Sequence, residues 1–411
     1  MPTATLTPIA DGGITSTPGF SAAGIAAGIQ ADGALDVALV HADRPCVAAA
    51  VFTRNAFKAA PVLYDQRILA ENPTGLRAVV INAGCANACT GDEGVRNAEA
   101  TAEAAARALG VAPRDVMVMS TGVIGAQLPM NKLTPGVAAA AARRSPALPA
   151  GHDAARAIMT TDTRPKESAV RVTYEGGTFT IAGMAKGAGM IHPNMATLLC
   201  LLTSDAAISP ELAQRALRDA VDGSFNMITV DGDTSTNDTA LLMASGSAEM
   251  APITAVNSPA YEAFFQGLTH VLTTLAQAIV RDAEGATRFV TVTVRGASDA
   301  AAAKQVGMSV ATSLLVKTAI YGHDANWGRI VCAVGYSGVP IDPNRVGVWM
   351  DDLELVRGGA PFDVDEERAS AILDQPDIAI TVDLGQGSAE ATVWTCDLSH
   401  RYVDINAHYR T

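Results

Sequence analysis

Lys186-Gly187-Ala188-Gly189-Met190-Ile191-His192-Pro193-Asn194-Met195-Ala196-Thr197-Leu198-Leu199-Cys200-Leu201-Leu202 is the stretch around which the rest of the chain can be read. Its first half holds two glycines and a proline. Glycine permits backbone angles closed to other residues, and proline fixes one angle and removes a donor. Regular structure is not expected there. Its second half, Leu198 to Leu202, is short and apolar and stops at Thr203-Ser204-Asp205, so it reads as a buried strand. Thr197 stands at the junction. The residues alone admit two readings of it: a strand-opening hydroxyl satisfied by nearby backbone, or a nucleophile presented by a constrained loop.

Outward from this loop the pattern is mixed α/β. Strands are predicted at Val37–Val40, Cys46–Phe52, Arg77–Ile81 and Val116–Met119, then at Ser168–Tyr174 and Thr178–Ile181 around the turn Glu175-Gly176-Gly177. Helices are predicted at Pro61–Ala70, Gly91–Leu109, Leu133–Arg144 and His152–Met159, the second closed by Gly110. Beyond the loop, helices are expected at Pro210–Val221, Tyr261–Val280, within Ala297–Ala319, and at the acidic Asp365–Leu373. Met227–Val230, Phe289–Val294, Arg329–Val334 and Tyr402–Asn406 read as strands. The acidic run Asp231 to Asp238 resembles a calcium loop, but Thr236 stands where the central glycine belongs and Leu242 where the terminal glutamate belongs, which rejects it.

Composition narrows the function classes. The 411 residues are 49% hydrophobic and 5% aromatic, with a net charge of −13. That length suits a large core built as two domains or two closely packed halves. The acidic balance argues against a nucleic-acid partner, which needs a basic face. It also means that an anionic substrate needs its own local cations. Six scattered cysteines do not form a disulfide framework, and Cys85 and Cys89 lack a second pair to complete a zinc set. The N-terminus lacks the signal-peptide pattern, and no uninterrupted apolar run reaches membrane-spanning length. A cytoplasmic protein without a membrane partner is expected.

The loop Lys186–Thr197 closely resembles the processing site of the glutamate N-acetyltransferase family, the ornithine acetyltransferases. Other segments resemble the same family in the same order along the whole chain. They are Ile81–Gly84, Ser120–Gly125, Thr160-Thr161-Asp162-Thr163, Val280–Arg288, His323–Arg329 and Ile405–Ala407. The resemblance implies self-cleavage between Ala196 and Thr197, giving an α chain of residues 1–196 and a β chain of residues 197–411 that begins with the nucleophile. It implies a layered α-β-β-α type sandwich of two intertwined chains, assembled as a heterotetramer of two α and two β chains.

The resemblance also assigns roles. Thr197 is the nucleophile, Thr121 and Gly122 form the oxyanion hole, and Thr160, Lys186, Thr197, Glu284, Asn406 and Thr411 contact substrate. N-acetylornithine is the implied acetyl donor and glutamate the acceptor, with acetyl-CoA as an alternative donor and neither cofactor nor metal required. Asn82, His323, Asp324, Asn326 and Arg329 are read as supporting positions. A threonine freed by cleavage carries its own base, an α-amine with a pKa of about 7.7–8.0. No histidine is then needed, and the sequence holds neither an HExxH pair nor a Gly-x-Ser-x-Gly elbow. Two rivals remain at this point: an autoprocessing aminopeptidase or amidohydrolase of related fold, and an uncleaved relative that binds an amino acid.

Overall fold

The computed structural model describes residues 4–31, 33–192, 198–362 and 365–408. In chain order its elements begin with β1 (Thr5–Pro8), β2 (Phe20–Ile25), β3 (Val37–Phe52), α1 (Ala60–Glu71), β4 (Leu76–Asn82), α2 (Gly91–Leu109) and β5 (Val116–Ser120). Next come α3 (Met130–Arg143), α4 (Leu148–Ala157), β6 (Lys166–Tyr174), β7 (Gly177–Lys186), β8 (Leu199–Ser204), α5 (Pro210–Asp222), β9 (Thr239–Ala244) and α6 (Pro259–Arg281). The last part holds β10 (Phe289–Ala297), α7 (Ala300–Thr312), α8 (Leu314–Tyr321), α9 (Trp327–Gly335), β11 (Gly347–Met350), β12 (Leu353–Arg357) and β13 (Ala360–Pro361). It ends with α10 (Glu366–Leu373), β14 (Asp377–Asp383), β15 (Ala389–Cys396) and α11 (His400–His408).

Two sheets organise these elements among the described residues. The larger runs β1-β6-β7-β8-β9-β3-β4-β5, with β2 added on β3. The smaller runs β13-β12-β11-β14-β10-β15. The 16-residue β3 joins two parts of the larger sheet. Its first half pairs with β2 and β4, and Val47 to Phe52 pair with β9 after a register break between His41 and Cys46. Two strands were expected here; one long strand bends across both.

Side-chain alternation along β8 explains how the layers close. Leu199 and Leu201 enter the core built by β2, β3, β4 and β5, whereas Cys200 and Leu202 enter the core under α5 and α6. Successive residues of a strand point to opposite faces, so an all-apolar strand is one buried on both. The smaller sheet has its own core, filled from α7, α9 and α10.

Local chemistry fixes the helices that carry the site. Ser258 accepts a hydrogen bond from the Tyr261 N–H and Pro259 opens α6. The apolar face of α6 then packs on β6 and β7. This helix of 23 residues is by length and composition apolar enough to cross a membrane, a feature absent from the sequence expectation, but most of its apolar window is buried inside the fold.

Three other expectations need correction. Arg329–Val334 is not a strand but part of α9, because Asn326 caps it by accepting the Arg329 N–H at 3.1 Å. Tyr402–Asn406 is likewise helical, inside α11. Met227–Val230 forms no strand: a 3-10 turn at Phe225–Met227 leads to a single bridge between Ile228 and Trp394. Ala297–Ala319 does contain a helix, the whole of α7, and also the start of α8, the two meeting at Ser313. The strand β9 was not anticipated. Short apolar runs carry no period that separates helix from strand.

Candidate active site

The ends of β4 and β5, the end of β7, the turn after α6 and the helix α11 converge on one cleft. It encloses about 710 Å³, open mouth included. Its lining includes Thr121, Gly122, Thr160, Lys186, Glu284 and Asn406, six of the residues singled out in the sequence. The remaining two, Thr197 and Thr411, and the expected cut at Ala196 lie outside the described residues.

Thr121 and Gly122 leave β5 beside the end of its parallel neighbour β4. Ser120 Oγ donates to Asn82 Oδ1 at 2.7 Å, and Asn82 Nδ2 donates to the Cys85 carbonyl at 2.8 Å. The Thr121 N–H donates to the Asn82 carbonyl at 3.0 Å. From the opposite side Asn237 Nδ2 donates to the carbonyls of Ala86 and Ser120 at 2.6 and 2.8 Å. Gly122 has φ +131, and a Cβ there would overlap the backbone of Gly84 and Cys85. Glycine is therefore required by both conformation and space. Asn82 is thus a bracing group, as its sequence reading held.

Lys186 ends β7 and is 3% exposed, not a solvated loop lysine. Its Nζ donates to Thr121 Oγ1 at 3.1 Å. An ammonium has no acceptor to offer, so the Thr121 hydroxyl hydrogen is left to point elsewhere. Burial pushes the Lys186 pKa down, and Lys166 adds to this. Asp162, Asp238 and Glu284 pull it up, with the balance below an ordinary lysine.

Glu284 follows α6 and is also buried; its N–H donates to the Ala188 carbonyl at 2.9 Å. Asn406 Nδ2 donates to Glu284 Oε2 at 2.8 Å. The carboxylate lies against Gly189, where a Cβ would collide with it. Neither neighbouring arginine takes it: Arg281 pairs with Asp377 and stacks on Phe289, and Arg288 Nε donates to the Leu373 carbonyl.

The loop itself is held by a carboxylate that the sequence reading passed over. Asp231 accepts the N–H groups of Met190 and Ile191 at 2.6 and 2.9 Å and the Tyr402 hydroxyl at 3.2 Å. Burial raises the pKa of Asp231, and burial beside Asp231 raises that of Tyr402. Past the undescribed residues, Asp238 Oδ1 accepts the Leu198 N–H at 3.0 Å. So the acidic run dismissed as a calcium loop is a brace on both sides of the 193–197 segment. Its alternation of Asp with Ser, Thr and Asn was the available signal.

His323, Asp324 and Asn326 do not join this cleft. They line a separate depression with Glu366 and Ser370, while Arg329 donates to the Leu315 carbonyl at 2.8 Å.

The arrangement offers one buried cation, one buried carboxylate, a hydroxyl and a glycine N–H around a small polar cleft. Such a set suits a zwitterionic amino-acid substrate and a developing oxyanion. The chain is 50% identical to the arginine biosynthesis bifunctional protein ArgJ of Symbiobacterium thermophilum, over 97% of this chain and 99% of that protein. It is 47% identical to the mitochondrial protein of the same designation from Schizosaccharomyces japonicus, over 97% and 94%. A crystal structure of ornithine acetyltransferase complexed with ornithine from Mycobacterium tuberculosis matches 47% of this chain and all of that one, at 46% identity and a TM-score of 0.44. The ArgJ family model matches residues 21–411. Identity of this order along almost the whole length, together with that match, means that the chain belongs to the ArgJ family.

Proposed function

We propose that this cleft transfers an acetyl group from N-acetylornithine to glutamate through an acetyl-threonine at Thr197. As a member of the ArgJ family the chain is an enzyme of arginine biosynthesis, an ornithine acetyltransferase with glutamate N-acetyltransferase activity. The finer reading runs in two stages. First, the Thr197 hydroxyl attacks the Ala196 carbonyl, the Ala196–Thr197 amide becomes an ester, and water releases residues 1–196 from residues 197–411. Each new terminus belongs to one chain of a layered α-β-β-α sandwich, two of each chain forming a heterotetramer.

In the second stage the freed α-amine of Thr197 takes the hydroxyl proton as Oγ attacks the acetyl carbonyl. The oxyanion is held by the Thr121 hydroxyl and the Gly122 N–H. Ornithine leaves with the proton, and the glutamate amine then attacks the acetyl ester and regenerates Thr197. Thr160, Lys186 and Thr411 hold the substrate backbone, and Glu284, steadied by Asn406, faces the donor's side-chain ammonium. Acetyl-CoA serves as a second donor, in keeping with the bifunctional designation of the relatives. No cofactor or metal enters these steps, and the enzyme works in the cytoplasm on small molecules.

The observation that supports this reading is the convergence of Thr121, Gly122, Thr160, Lys186, Glu284 and Asn406 from separate segments onto one cleft beside the 186–192 loop. Intact mass and N-terminal sequencing test it directly. The expected result is two chains, one starting Thr-Leu-Leu-Cys, with ping-pong kinetics for the two substrates. Thr197→Ala should give an uncut, inactive chain of 42.2 kDa. An active Thr197→Ala protein would remove Thr197 from the mechanism.

A further inference from the structure

Behind the cleft wall lies a buried group of charges that the acetyl-transfer steps leave unused. Lys166 Nζ sits 2.5 Å from Asp162 Oδ1 and 2.6 Å from Asp282 Oδ2, and the three side chains are 1%, 0% and 4% exposed. Asp282 also accepts the Thr163 N–H at 3.0 Å and the Thr163 hydroxyl, and Arg164 lies 3.9 Å from it. Asp162 accepts two further N–H groups, Gly187 at 2.8 Å on Oδ1 and Thr160 at 3.1 Å on Oδ2.

These partners are the cleft wall itself. Thr160 lines the cleft, Gly187 adjoins Lys186, and Asp282 stands two residues before Glu284. With Lys186 included the group holds two buried ammoniums and two buried carboxylates. Burying one unbalanced charge is costly, and paired burial is tolerated. Lys166 is shared by both carboxylates, Arg164 reaches Asp282 from the more exposed side, and the other buried cation beside Asp162 is Lys186.

We propose that Asp162, locked by Lys166, is a positioning residue for acyl transfer: by holding the Gly187 N–H it fixes the end of β7 and sets a carboxylate beside the buried Lys186 ammonium, so that Lys186 holds Thr121 Oγ1 and turns the Thr121 hydroxyl hydrogen into the cleft. This rests on the reading of Thr121 as an oxyanion donor. The titratable groups that act on Lys186 come from several directions: Asp162 before β6, Lys166 on β6, Asp238 before β9 and Glu284 after α6. Burial acts most strongly and lowers the Lys186 pKa. Of the charges, Asp162 stands first and raises it, and Lys166 lowers it. Asp162 itself is pushed up by burial and down by Lys186 and Lys166, with a net lowering, so it stays ionised.

The two neighbours therefore act on Lys186 with opposite signs. Neutralising Asp162 lowers the Lys186 midpoint and neutralising Lys166 raises it. A scaffold role for the same residues has no such sign. The experiment is a pH titration of the Lys186 side chain by NMR on lysine-labelled protein without substrate, its signal assigned by its loss in Lys186→Arg. It is run on the wild type, Asp162→Asn and Lys166→Met, with kcat against pH measured alongside.

In Asp162→Asn the midpoint should fall by about one pH unit or more, the usual effect of losing an adjacent opposite charge. The alkaline limb of kcat should fall with it, because the active ammonium form is lost earlier as pH rises. In Lys166→Met the midpoint should rise. Should one variant fail to fold, the other still carries its own sign. Unmoved midpoints, or shifts of one common sign, overturn the inference, and so does a uniform loss of kcat without movement of the limb. A wild type that transfers no acetyl group would instead sink the proposed reaction, while the substrate-free titration still decides the link between Asp162 and Lys186.

Discussion

At the scale of single residues the site depends on positions whose side chains are small or hidden. Gly122 is the clearest. It carries φ +131 and its α-carbon faces the backbone of Gly84 and Cys85, which cannot swing aside as a side-chain tip would. Gly122→Ala should displace the strand end that presents the Gly122 N–H. Loss of one oxyanion donor costs about 10²–10³ in kcat, and strained backbone of this kind costs about 1–3 kcal/mol. A kcat falling by that factor, with a lower melting temperature, is expected from steady-state kinetics and a thermal scan. Full activity in Gly122→Ala would remove Gly122 from the oxyanion hole. The sequence made Thr121, Gly122 and Lys186 legible because they sit in recognisable segments. Asp162 was present in one of those segments, yet its task was invisible: it works through Lys166 on β6 and through Lys186 and Gly187 at the end of β7, and no local spacing reveals partners at the end of a second strand.

At the scale of elements, those with strong internal signals were legible and those set by their surroundings were not. The helix Gly91–Leu109 and the Pro-initiated helices α5 and α6 announce themselves through caps and 3.6-residue spacing. The segments α9 and α11 carry apolar and β-branched residues that suit either state. What makes α9 a helix is the Asn326 cap, and what gives α11 its place is contact across the cleft. In α11, Tyr402 and Asn406 are four residues apart and so share one face. That face brings Tyr402 to Asp231 and Asn406 to Glu284. Asn406→Asp should replace a donor with a second carboxylate 2.8 Å from Glu284 in the present geometry. Two such groups cannot both ionise cheaply, so the pair takes up a proton and one pKa rises. The protonated pair persists at low pH, and repulsion appears as pH rises through the raised value. Activity of Asn406→Asp relative to wild type should therefore decline as pH rises through the raised value of the pair. Asn406→Leu, which adds no charge, should lose activity with little dependence on pH. Parallel profiles for the two variants would show that Asn406 does not act through Glu284.

At the scale of the whole molecule, the order of strands bears on what a cut at Ala196 would do. Residues before the cut supply β1, β6 and β7 on one side of the larger sheet and β3, β4 and β5 on the other. Residues after the cut supply β8 and β9 between them. The β7–β8 ladder runs from Lys186 opposite Leu199 to Ile181 opposite Ser204. The β9–β3 ladder runs from Thr239 opposite Phe52 to Ala244 opposite Val47. Separation of the two pieces would open both ladders and expose two apolar cores that β8 and β9 help to fill. Buried strands with free edges are prone to pair with other chains. Cleavage should then leave a single cooperative particle. Purified cleaved protein should elute as one species in native buffer, and residues 1–196 and 197–411 should part only as the fold is lost in denaturant. Residues 1–196 produced alone should aggregate, because β7 and β3 each lack a neighbour. Recovery of the two pieces as separate folded species from native buffer would contradict the interleaved sheet as the element that holds them together.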